Sequence, residues 1–159
     1  MKNYVLVAEP GSYEVRTVRE FDARPERVFE AYLDPLAIPH WWGPAYLTTT
    51  VDLLEPRDGG RWRFLQKDPA GPQHNFRGVF HSIRPNLRIV QTFEYEGTPG
   101  HVVLQTADFE PTGGGRTRLT ISAVFQSVSD RDEMIQAGME SGDSESADRL
   151  AALLAANER

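Results

Sequence analysis

Apolar residues recur along this chain at two spacings, and each spacing predicts its own kind of element. In Arg61-Trp62-Arg63-Phe64 the aromatics alternate with arginines. Between Ile89 and Tyr95, the residues Ile89, Phe93 and Tyr95 share one face with Gln91. In Leu119-Thr120-Ile121-Ser122 the apolar pair again shares a face. Successive side chains on a strand point to opposite sides, so a period of two predicts strands with one apolar face. Turn-forming clusters rich in Gly and Pro punctuate the pattern at 55–60, 68–72, 84–86, 96–100 and 110–115. The runs between them are rich in Val, Ile, Phe, Thr and Trp. Strands are predicted at 13–21, 46–54, 61–67, 75–83, 88–95, 101–110 and 116–126, read as an antiparallel meander.

Two stretches follow the helical period instead. The first opens at Arg24-Pro25-Glu26, with proline at the first helical position and an acid in the first turn. Val28, Phe29, Tyr32, Leu33 and Leu36 form its apolar stripe. Pro35 and Pro39 break it, so a second short helix or turn leads into His40-Trp41-Trp42-Gly43-Pro44. The second stretch is predicted as one helix from near Ser129, read as its N-cap, to about Ala156. Its inward stripe is Ile135, Met139, Gly142, Ser146, Leu150 and Leu153. A helix must cover the apolar face of the sheet, so the expected class is α+β. It is a curved antiparallel sheet of about seven strands around a long C-terminal helix, with short helices between the first two strands. No linker or repeat divides the chain. Residues 1–12 read as an N-terminal extension and 13–156 as a single domain.

Composition narrows the function. The chain has 159 residues, and a net charge of -6 disfavours a phosphate backbone as partner. The arginines are scattered singly among acids, so no nucleic-acid partner is expected. Cysteine is absent, which excludes disulfides, thiol catalysis and Cys-rich metal sites. No segment approaches the ~20 apolar residues of a membrane helix. No signal sequence is evident. No membrane partner and a cytoplasmic location are therefore expected.

Four ordered motifs carry a resemblance. They are Phe21–Pro35, Trp41-Trp42-Gly43-Pro44, Gly59-Gly60-Arg61-Trp62-Arg63-Phe64, and the tail Gly138-Met139-Glu140-Ser141-Gly142 followed by Asp148-Arg149-Leu150-Ala151. Over residues 13–156 the chain resembles the domain related to the heat-shock protein 90 ATPase activator, a member of the SRPBCC or START-like superfamily. The resemblance implies the helix-grip fold and a hydrophobic cavity between sheet and terminal helix. It implies a small apolar molecule as partner, with a chaperone and a stress-response role as the alternative, and cyclase or aromatase chemistry as a third. Eukaryotic chaperone activators carry a further N-terminal domain for which this sequence has no room, so ligand binding is the leading implication. A homodimer is open to such domains. The chain departs from many relatives at Asp143, where an aromatic is usual, and the following residues, Ser144 to Ala147, keep this turn small and polar.

The residues expected to line the pocket are Trp41, Trp42, Trp62, Phe64, Phe80, Phe93, Tyr95 and Phe109, with Met139, Gly142, Ser146 and Leu150 from the terminal helix. Trp41 and Trp42 are placed at the mouth by the resemblance, as a gate or as a plug. Gly142 costs on the order of 1 kcal/mol relative to alanine in a helix. A void, a close helix–sheet approach or a kink would each account for it. No catalytic residue is expected: no nucleophile elbow, phosphate loop or dinucleotide motif occurs. His40, His74, His81 and His101 lack metal-ligand spacing, so neither metal nor cofactor is expected. His81 reads as a hydrogen-bonded structural residue. A polar relay for cyclase chemistry would have to come from Asp52, Arg63, Gln91 and Tyr95. Arg61 and Arg63 are expected to point outward; turned inward, they would hold a ligand carboxylate.

Overall fold

A computed structural model describes residues 4–157. The strands are β1 (Tyr4–Val7), β2 (Glu14–Phe21), β3 (Thr48–Leu54), β4 (Arg61–Lys67), β5 (Gln73–Arg84), β6 (Arg88–Tyr95), β7 (Val102–Thr112) and β8 (Arg116–Val124). The helices are α1 (Pro25–Leu33), α2 (Ile38–Trp41), α3 (Val128–Gln136) and α4 (Met139–Ala156). All eight strands form one antiparallel sheet in the order β1-β2-β8-β7-β6-β5-β4-β3. The chain is thus α+β, as its periodicity predicts, with one strand more than expected. The addition is β1, which pairs along β2 from Tyr4 opposite Arg19 to Val7 opposite Arg16.

The C-terminal region departs from the single predicted helix. It is two helices, parted at Gly138, whose φ of 100° lies in the left-handed region that glycine enters without cost. The N-cap of α3 is Ser127 rather than Ser129. Its hydroxyl accepts a hydrogen bond from the Asp130 amide at 3.0 Å, and Asp130 sits in the first turn where the helix dipole favours an acid.

The strand periodicity determines the core. Val15, Phe21, Trp62, Phe64, Phe80, Ile89, Val103, Phe109 and Leu119 all turn to one face and are buried. Helix α1 seats Phe29 edge-on against Phe109 at 5.4 Å, and Tyr32 lies 5.5 Å from the same ring. Trp41 donates its indole N–H to the Ala31 carbonyl at 3.0 Å, tying α2 to α1. Two bulges, at Asp52 in β3 and His81 in β5, each insert one extra residue and bend their strands.

Helix α3 is fastened by one buried cation. Arg131 is 4% exposed and donates to the carbonyls of Glu9 at 2.6 Å and Glu14 at 3.4 Å, while Asp132 receives its other nitrogens. Removing it leaves those acceptors short of a donor. Arg131→Met is expected to cost ~1–2 kcal/mol. Urea denaturation measures this, and an unchanged midpoint would contradict it.

Candidate functional site

The inward face of the sheet does not close against α4. A cavity of about 360 Å³ remains between them, at the small end of the range for small-molecule sites. Its wall follows the period of two: Trp62, Phe64 and Gln66 on β4, Ile89, Gln91 and Phe93 on β6, Val103, Gln105 and Ala107 on β7, Leu119, Ile121 and Ala123 on β8. Helix α4 closes it with residues spaced three and four apart, Met139, Gly142, Asp143, Ser146 and Ala147.

Gly142 is where the room arises. A Cβ added there meets nothing within 4 Å. Of the three accounts of this glycine, close approach to the sheet is therefore excluded. Ser146 has a second role besides its small size. Its hydroxyl accepts the Gly43 amide at 2.9 Å, while the Gly43 carbonyl accepts from Arg149. Gly43 has a φ of 84°, and a side chain there would run into the Gln66 amide. The Trp-Trp-Gly-Pro turn and the tail of α4 are thus clamped together in both directions. Arg19 extends the clamp by pairing with Asp148 of α4 at 2.8 Å.

Nine of the residues predicted for the pocket line this cavity: Trp41, Trp42, Trp62, Phe64, Phe80, Phe93, Met139, Gly142 and Ser146. Trp42 packs edge-on against Phe64 at 5.1 Å and Phe76 at 5.3 Å, so it closes the β4–β5 end of the wall. Three predicted residues lie off the wall. Phe109 is consumed by Phe29 and Tyr32 of α1. Leu150 is 0% exposed and packed in the main core. Tyr95 is at the far end of β6, where its hydroxyl meets His74 Nδ1 at 2.9 Å.

The polar relay is not assembled. Asp52 and Arg63 face away from the cavity and pair with each other at 3.1 Å, and Arg63 also pairs with Glu96 at 2.8 Å. Gln91 alone of the four lines the cavity, hydrogen-bonded to Gln105 across β6 and β7 at 3.4 Å. Arg61 and Arg63 are both on the outer face, with Arg63 ion-paired there. His81 is exposed in its bulge, not held in the interior. Among the described residues, no group of three or more His, Cys, Asp or Glu is placed to hold a metal ion. Nor is any helix among them long and apolar enough to cross a membrane.

Asp143 is the feature that sequence reasoning did not place on the site. It lines the cavity and keeps part of its surface open to water, while the protein packed around its carboxyl raises it to about 6. The carboxylate in turn adds to the burial that keeps the Tyr32 phenol protonated. The spacing Met139, Gly142, Asp143, Ser146 would have identified it, since all four share one helical face. The raised carboxyl has a signed consequence. The folded state binds the proton more tightly than the unfolded chain, whose Asp titrates near ~3.9. Ionising Asp143 therefore costs stability, and the cost is absent below about pH 4 and complete above the folded value. Two units correspond to ~3 kcal/mol, which access to water through the mouth and the N-terminal half of the helix reduce to ~1–2 kcal/mol. Asp143→Asn should melt ~4 °C above wild type at pH 8 and level with it at pH 4. A gain independent of pH would contradict this.

Known proteins place the chain in context. A family profile described as Activator of Hsp90 ATPase homolog 1-like protein matches residues 22–155. A crystal structure of a protein from Rhodobacter sphaeroides is similar with a TM-score of 0.88 and 26% identity, covering 97% of this chain and 99% of that one. A solution structure of a protein from Arthrobacter aurescens is similar with a TM-score of 0.87 and 27% identity, covering 95% of this chain and 91% of that one. The AHSA1 protein from Silicibacter pomeroyi has a TM-score of 0.75 and 25% identity, covering 91% of this chain and 99% of that one. No curated protein matches the chain.

Proposed function

Because the chain belongs to the Activator of Hsp90 ATPase homolog 1-like protein family, we propose that its cavity binds a small, mostly apolar molecule without performing chemistry on it. The observation that carries this reading is the unfilled volume of about 360 Å³ inside a wall built chiefly of Trp, Phe, Ile, Val and Met. Protein interiors pack to near crystal density, so a void of this size forfeits contacts along its whole lining. An apolar guest restores them. The clamp through Gly43, Ser146 and Arg149 keeps the helix from collapsing onto the sheet. The split of Asp52 and Arg63 from Gln91 leaves the cyclase alternative without the relay those residues would have formed.

The test is a titration with N-phenyl-1-naphthylamine, a neutral dye that brightens in apolar surroundings. Saturable one-to-one uptake is expected, together with a higher melting temperature. A dye concentration 100 times the Kd stabilises the fold by ~2.7 kcal/mol. Absence of a saturable signal would remove the reading.

A further inference from the structure

We propose that the cavity selects an apolar molecule bearing one protonated amine, which seats against the Asp143 carboxylate. This rests on the ligand-binding reading above and narrows its chemistry. Asp143 is the only carboxylate on the cavity wall among the described residues. Among the described residues its carboxyl has no hydrogen bond or ion pair. The other titratable or charged groups on the wall are Tyr4 of β1, Arg19 of β2 and Tyr32 of α1. Both phenols are held protonated by burial, so neither supplies a charge. Among the described residues Arg19 is the only cation on the wall, and it is already taken: it pairs with Asp148 at 2.8 Å and lies 5.4 Å over the Phe21 ring. An anionic guest therefore finds no free positive group among the described residues, and it meets a like charge at Asp143.

A neutral guest displaces the water that reaches the carboxylate and puts nothing in its place, which is unfavourable for a charged group. A protonated amine replaces that water with a charge-assisted hydrogen bond, strengthened because the guest's apolar body keeps other water out. The remainder of the wall suits the same guest. Aromatic rings such as Trp62 and Phe93 accept both an apolar body and the edge of a cationic head. With a carboxyl titrating at about 6, Asp143 is largely ionised at neutral pH and largely neutral at pH 4.5.

The test uses three probes of matched size on the whole chain: 1-naphthylmethylamine, 1-naphthalenemethanol and 1-naphthoate. At pH 8 the amine is expected to bind at least about tenfold more tightly than the alcohol, and the naphthoate more weakly than both. The amine-to-alcohol preference should fall toward one in Asp143→Asn, and in wild type when the pH is lowered to 4.5. The pH series needs no variant, so it stands even if the substitution disturbs the helix. If alcohol and amine bind equally at pH 8, or the preference survives both changes, the amine assignment is overturned while the ligand-binding reading stands. If none of the three binds, both fall.

Discussion

Gly78→Ala is expected to destabilise the protein by ~4 kcal/mol, enough to remove a large part of the stability of a domain this size. Gly78 pairs directly with Trp62 across β4 and β5. Its missing side chain leaves the slot through which the indole reaches over β5 to donate to the Thr92 carbonyl at 3.2 Å. A Cβ at position 78 would fall inside contact with that carbonyl oxygen and with the indole nitrogen. Neither can step aside cheaply: one is backbone in a central ladder, the other a ring that is 2% exposed. The methyl forces the indole out, and displacing a buried tryptophan costs ~3–5 kcal/mol. Thermal and urea denaturation read this as a fall of ~10 °C or more. Gly113→Ala is the control, because a methyl there meets nothing within 4 Å. A Gly78 variant within ~1 kcal/mol of wild type would show that the indole is not wedged as described.

The second large effect is on binding rather than stability. Gly142→Leu places a side chain directly into the room left by the glycine, where an added Cβ touches nothing. Helix propensity favours the change by ~1 kcal/mol. The variant should therefore fold at least as well as wild type and lose at least about tenfold in affinity for N-phenyl-1-naphthylamine. Gly142→Ala should gain the same propensity and keep the dye, since a methyl fills little of 360 Å³. Full retention of dye by the leucine variant would mean that the dye binds elsewhere.

The sheet was legible because turn clusters bound its strands and the period of two fixes their faces. That same period reveals a face but not a level along the strand. Tyr95 and Phe109 are on the predicted face, yet one lies past the cavity beside His74 and the other under α1. Strand β1 was illegible for a different reason: four residues give too short a period to read. The break between α3 and α4 hinges on which of two glycines, Gly138 or Gly142, turns left-handed, and spacing does not distinguish them. Asp143 was visible as an anomaly of the tail motif, but not as part of the site. Charged residues are expected on the outside of a helix, and only the packing of α4 shows this one facing inward.

The most direct measurement is a crystal structure of the protein soaked with naphthalene, a guest with no polar group to draw it elsewhere. The account predicts ring density between α4 at Gly142 and the sheet at Trp62 and Phe93, with the surrounding side chains close to where they stand without it. Phe64 and Phe76 folded into that space, with naphthalene absent or on the surface, would contradict it.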